Sequence, residues 1–120
     1  MRIRKFKDGH AVGIVADYTV VWDTVRYVID EVIDHAYDTA LRTINIVVSI
    51  SEPTIYSLEA KPGIEVLHIK LIPSDRGLVP MFFNRGGEEI SEYGARTLWD
   101  SGTRSLRGIN KKRRSSRKRK

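Results

Sequence analysis

The amino-acid sequence predicts an α+β fold: a largely antiparallel sheet of about five to six strands, packed by one long and one short helix and followed by a disordered basic C-terminal arm. Three observations predict it. Strand-like and helix-like segments follow one another in the order ββ-α-ββββ-α. One long segment has the apolar periodicity of a helix face. The last ten residues contain no apolar side chain, so they cannot join a core.

The first two strands form a predicted β-hairpin. Residues 2–7 and 10–15 have strand-like composition and flank Asp8-Gly9, a dipeptide that tolerates the positive φ angles of a type I′ turn. Gly13 in the second strand indicates a bulge or a close approach of another backbone segment.

The long helix is predicted from apolar residues that recur at spacings of three and four, with Asp23 as its N-cap. Several of them are β-branched, so packing against the sheet must stabilise this helix. The periodic residues are Val25, Val28, Ile29, Val32, Ile33, Ala36, Ala40 and Leu41.

The next segments are predicted strands at residues 44–51, 54–60, 64–72 and 79–83, with a Pro-Gly turn at 61–64 and a strand end at Pro73. In the third of them, Leu67, Ile69 and Leu71 alternate with His68 and Lys70. This alternation places the apolar residues on one face of the sheet and the two basic residues on the other.

The short helix is predicted at residues 88–100, with Glu88 and Glu89 at its N-terminus and Gly102 at its end. We therefore expect a globular domain over residues 1–100, followed over residues 101–120 by a linker and a polybasic arm. The chain contains no cysteine, which excludes disulfides and thiolate metal sites. No apolar run approaches the ~20 residues of a membrane span, so no membrane partner is expected.

Charge divides the chain into two unlike parts. Residues 1–100 contain eleven Lys and Arg against fifteen Asp and Glu, a net charge of −4, whereas the last ten residues contain eight cations and no acid. Because a block of like charge stays solvated and attracts polyanions, nucleic acid is the predicted partner. The predicted binding residues are Arg104, Arg107, Lys111, Lys112, Arg113, Arg114, Arg117, Lys118, Arg119 and Lys120.

The arm is predicted to bind phosphates without reading base sequence, because it has no aromatic residue for stacking and no amide for pairing with adenine. Four aromatic residues of the globular part could stack on bases, but their apolar neighbours favour burial in the core; these are Tyr18, Tyr56, Phe82 and Phe83. Four other roles for the arm stay open: a nuclear-localisation signal, a kinase site at Ser115 and Ser116, contact with an anionic membrane surface, and a solubility tail without a partner.

The polar side of the long helix is a second candidate site, formed by Asp30, Glu31, Asp34, His35 and Asp38. Glu31 and His35 have the spacing at which two side chains reach one divalent ion. The same stripe is also typical of a solvated helix face, or of a surface that docks a basic partner or the arm itself.

A third candidate site is Glu52 with Glu59-Ala60-Lys61, which resembles the acid and (D/E)-x-K arrangement of the restriction-endonuclease-like nucleases. The resemblance implies that two carboxylates hold Mg²⁺ while Lys61 orients the attacking water. Here Glu52 precedes Pro53 and Lys61 begins a Pro-Gly turn, so the nuclease is the second hypothesis.

The first hypothesis is a non-enzymatic nucleic-acid-binding component of a nucleoprotein assembly, such as a viral or phage structural protein or a ribosome-associated protein. We expect no catalytic residue, no metal and no cofactor, and self-association into a homo-oligomer or larger assembly. The expected location is cytoplasmic or virion-associated, or nuclear in a eukaryotic host. A third hypothesis is a protein-binding regulator whose arm is only a nuclear-localisation signal.

Overall fold

The computed structural model describes residues 2–9, 11–36, 42–51 and 63–118, and for residues 8, 36 and 109–118 it describes the backbone alone. The predicted α+β class is confirmed, because a mostly antiparallel six-stranded sheet is accompanied by two helices. The elements are β1 (Ile3–Asp8), β2 (Ala11–Asp17), α1 (Trp22–Ala36), β3 (Ile44–Ser51), β4 (Ile64–Ser74), β5 (Gly77–Phe83), β6 (Glu89–Ile90) and α2 (Glu92–Lys118).

The strands lie in the sheet in the same order as in the chain, β1-β2-β3-β4-β5-β6. Every neighbouring pair is antiparallel except β2 and β3, which are parallel. A parallel pair needs a crossover connection, and α1 lies in that connection. This βαβ unit is the one parallel feature of the described sheet.

The N-terminal hairpin is confirmed, but its turn lies one residue later than predicted. Asp8 pairs with Ala11, so Gly9 is the first central residue of the turn. Gly9 has a φ of 62°, and a positive φ at this position is what both primed hairpin turns require. Gly13 pairs regularly with Phe6; in the described sheet the register shift lies instead between β3 and β4, at Val48 and Ser49.

One hydrophobic core lies between the sheet and the helices. Trp99 of α2 is fully buried within it, and its indole Nε1–H donates a hydrogen bond of 2.8 Å to the carbonyl of Val20. The other fully or nearly fully buried large side chains are Ile14, Val25, Ile29, Val32, Ile46, Val48, Leu67, Ile69 and Leu71. Helical and strand periodicity thus place apolar residues from α1, α2, β2, β3 and β4 on one side of the sheet.

The second helix differs from its prediction at both ends. Glu89 belongs to β6, and Ser91 caps α2, its Oγ accepting a 3.0 Å hydrogen bond from the Gly94 N–H. The expected helix end at Gly102 is wrong, because α2 continues to Lys118. Thr103 is buried and Leu106 packs against the core, so the packed part of the chain extends beyond residue 100.

Close packing explains why α2 contains a glycine where an end was expected. A Cβ atom added at Gly102 would lie 2.8 Å from Ile50 Cδ1 of β3, so glycine lets the helix lie close to the sheet. The conformational cost of one glycine in a helix is only about 1 kcal/mol, which such packing offsets. The strand end predicted at Pro73 is also wrong, because β4 continues to Ser74 and Pro73 pairs with Leu78 of β5.

Gly63 should tolerate no side chain. A Cβ atom there would lie 2.7 Å from Ser49 Cβ and 3.0 Å from the Ile50 carbonyl oxygen, and backbone cannot move aside cheaply. We expect Gly63→Ala to lower the free energy of unfolding by about 1–3 kcal/mol, measured by urea denaturation. Gly86→Ala is the matched control, since its Cβ would approach only Asn84 Oδ1, at 3.4 Å. Equal stability of the two variants would contradict the packing described for Gly63.

Candidate nucleic-acid interface

The predicted binding residues begin on the second half of α2. Arg104 and Arg107 have described side chains, and both are exposed. Residues 111–118 have a helical backbone, and residues 119–120 lie outside the described part of the chain. The first two predicted cations therefore stand on the packed domain, since they flank Leu106.

The helical backbone of α2 arranges the cationic positions in a regular way. Positions 104, 107, 111, 114 and 118 follow one another at alternating spacings of three and four, so they share one helix face. At a rise of 1.5 Å per residue, this row of positions is about 21 Å long. Because the helix is continuous, these cationic positions form one row along its axis.

Arg104 and Arg107 also line a cleft between α2 and the segment that precedes α1. The cleft has a volume of about 130 Å³. Its lining residues are Tyr18, Thr19, Val20, Val21, Asp100, Thr103, Arg104 and Arg107. The two guanidinium groups are suitable donors for a phosphate group, whereas the hydroxyls of Thr19 and Thr103 already donate within the chain.

Hydrogen bonds fix both walls of this cleft. Asp17 at the end of β2 is buried, and its Oδ1 accepts hydrogen bonds from the Thr19 N–H (2.8 Å) and the Thr19 hydroxyl. The bond from Trp99 to Val20 joins this wall to α2. On α2, the Thr103 hydroxyl donates to the Asp100 carbonyl over 3.0 Å. Hydrogen bonds within the chain therefore hold both walls of the cleft in place.

The acidic side of α1 is partly neutralised by one arginine. Arg26 forms ion pairs with Asp30, at 2.8 Å, and with Glu92 of α2, at 3.3 Å. His35 Nδ1 lies 2.8 Å from the Glu31 carbonyl oxygen, as a donor to it, and this leaves that nitrogen unavailable to a metal. Asp38 lies outside the described residues, within which no group of three or more metal-ligating side chains occurs.

The predicted nuclease residues Glu52, Glu59 and Lys61 also lie outside the described residues, as does Tyr56. The nuclease hypothesis therefore stays a prediction.

The predicted aromatic residues that the structure describes do not all lie in the core. Phe82 is buried in the core, where its ring packs against Trp22 at a centroid distance of 6.2 Å, and Tyr18 is half-buried against the same core. Phe83 is half-buried on the opposite face. The sequence analysis missed Phe6, which is 41% exposed in β1. The only indication of its exposure in the sequence is that Phe6 is a large apolar residue among the cations of the first strand.

No protein-family model, no curated protein and no solved structure matches this chain. Within the described ranges, no helix is long and apolar enough to cross a membrane.

Proposed function

We propose that this protein is a non-enzymatic, sequence-nonspecific nucleic-acid-binding component of a nucleoprotein assembly. The observation that supports this function is the segregation of charge, with ten cations and no acid after residue 100 and a net charge of −4 before it. In this account the cationic half of α2 and the residues after it bind phosphates, and the globular part supplies contacts to other proteins. A viral or phage structural protein and a ribosome-associated protein are the natural roles.

The binding mechanism is the release of condensed counterions. Each lysine or arginine that neutralises a phosphate frees a cation from the nucleic acid, and the gain in entropy is independent of base sequence. Contacts to phosphates position a protein but carry no sequence information. The last ten residues consist only of lysine, arginine and serine, so they fit this mode of binding.

Display of several arms together would increase the strength of binding. A second arm attached to the same assembly meets the same nucleic acid at a high effective concentration. The assembly therefore binds more tightly than a single arm does. A homo-oligomer or larger assembly is therefore part of the proposal, as is a cytoplasmic, virion-associated or, in a eukaryotic host, nuclear location.

The two cations on the packed part of α2 provide a direct test. We expect the double variant Arg104→Gln/Arg107→Gln to bind duplex DNA more weakly and to reduce the slope of log K against log salt by about 2, since each phosphate contact contributes about 0.9. Fluorescence anisotropy with a labelled duplex, repeated over a salt series, measures both quantities.

The matched control is Arg76→Gln/Arg85→Gln, which removes two exposed arginines from the turns after β4 and β5. The control variant should keep the slope of the parent protein. If both double variants lose the same slope, binding depends on net charge alone and α2 is not the interface.

A further inference from the structure

The face of the sheet opposite the helices has no helix of the described chain against it. By register and alternation, the residues on this face are the strand neighbours of the buried ones. Phe6 and Val79 are 41% and 45% exposed there. The other large apolar residues of this face, all half-buried, are Val15, Val47, Ile72, Met81 and Phe83.

Two phenylalanines stand at opposite ends of one row of paired residues on this face. The row runs from β1 to β5 through Phe6, Gly13, Val47, His68 and Phe83. Four strand spacings of about 4.8 Å separate the end strands, a distance of about 19 Å. Gly13 and Val47 keep the part of the row next to Phe6 low, whereas His68 stands beside Phe83 and contacts Glu65.

Each of these rings has a cation over one of its faces. The Arg4 guanidinium lies 5.2 Å from the centroid of the Phe6 ring, and Lys70 Nζ lies 5.3 Å from the centroid of the Phe83 ring. The opposite face of such a ring is the stacking surface for a base, and the cation offers a positive charge for its phosphate. Repetition of the pair across one sheet face fits a ligand that repeats base and phosphate.

Polar residues in the middle of the face argue against a second copy of this chain as the occupant. Lys70, Asn45 and Glu65 are exposed on the two central strands, β3 and β4. Glu65 reaches His68 on this face, at 3.2 Å, because the register shift between β3 and β4 brings both to the same side. A dry sheet-on-sheet contact would bury these groups at a large desolvation cost, whereas an anionic strand pairs Lys70 with a phosphate and leaves Asn45 and Glu65 hydrated.

We propose that this face binds single-stranded nucleic acid, with unpaired bases stacked on Phe6 and Phe83 and phosphates close to Arg4 and Lys70. The inference rests on the proposed function and makes it more specific, because the arm alone does not distinguish single strands from duplexes. Stacking requires exposed base faces, which a duplex keeps inside its helix. In this account the arm supplies affinity and the sheet face selects unpaired strands.

The test compares two probes that carry the same phosphates. One is an oligothymidylate of about 16 nucleotides, within the range of site sizes of sheet-based single-strand binders, and the other is an abasic oligomer of equal length. We expect the full-length protein to bind the oligothymidylate at least about five-fold more tightly, since each stacked base contributes that much or more. Phe6→Leu/Phe83→Leu should abolish the difference, whereas Tyr93→Leu, at a ring 80% exposed on α2, should keep it.

The outcomes separate this inference from the proposed function. Equal affinity of the unmodified protein for both oligomers overturns the stacking platform and leaves the phosphate-binding arm intact, and this result needs no variant to fold. Binding of neither oligomer overturns the proposed function as well. A dimer in solution that dissociates in the Phe6→Leu/Phe83→Leu variant, without a preference for bases in the parent, assigns the face to a second copy and overturns the inference.

Discussion

Trp99→Ala is expected to lower the free energy of unfolding by about 3–5 kcal/mol, the range observed when large aromatic side chains are removed from a core. Trp99 is fully buried between α2 and the sheet, so its removal leaves a cavity that the neighbouring strands cannot close. Its indole N–H also donates to the Val20 carbonyl, across 79 positions of the sequence. Loss of that donor leaves a buried carbonyl without its partner and adds to the cost. Urea denaturation followed by circular dichroism measures the change.

Two further variants separate packing from hydrogen bonding. Trp99→Phe keeps most of the buried ring and loses the donor, so we expect an intermediate cost of about 1–3 kcal/mol. Tyr93→Ala, on the same helix but mostly exposed, should change stability by less than about 0.5 kcal/mol. A Trp99→Ala variant as stable as Tyr93→Ala would mean that α2 does not pack on the sheet as described.

Replacement of the eight cations of residues 111–120 by glutamine is the change with the largest expected effect on binding. An interface with six to ten phosphate contacts loses about 10³–10⁵ in affinity between 50 and 200 mM salt, so the electrostatic contribution dominates nonspecific binding. We expect the glutamine variant to show no measurable binding to duplex DNA at physiological salt. Its stability should change by less than about 0.5 kcal/mol, because Leu106 is the last of the described side chains of α2 that packs against the core. Anisotropy titrations and thermal unfolding measure the two quantities.

A permuted arm is the control for sequence-independent binding. A variant in which residues 111–120 keep their composition but change their order should bind duplex DNA within about three-fold of the parent, since phosphates do not distinguish the order of cations. A receptor that reads a nuclear-localisation signal recognises a defined order. A permuted variant that loses its cellular localisation but keeps its DNA affinity would therefore favour the nuclear-localisation signal over the nucleoprotein component.

Strands could be predicted from the sequence where composition and alternation within one segment were sufficient to identify them. The hairpin, β3 and β4 each have a strand-like composition, and the alternation of Leu67, Ile69 and Leu71 with His68 and Lys70 gave the correct faces. The end of α2 could not be predicted, because Gly102 normally indicates a helix end. Its actual role depends on Ile50, a residue of another element, which no local pattern contains.

The candidate site, too, could be predicted from the sequence only in part. The cationic composition of residues 104–120 is visible in the sequence, since charge requires no tertiary structure. The cleft beside Arg104 and Arg107 is not, because its other wall consists of residues 18–21, far away in the chain. The row from Phe6 to Phe83 likewise exists only after four strand pairings set the register.

The most direct test of the account is the salt dependence of duplex DNA binding by the intact protein and by a chain that ends at Asn110. If all ten cations contact phosphates, log K should fall against log salt with a slope of about −9 for the intact protein and about −2 for the shortened one, from about 0.9 per phosphate. A slope that survives the removal of residues 111–120 would place the binding surface elsewhere on the domain and contradict the central claim.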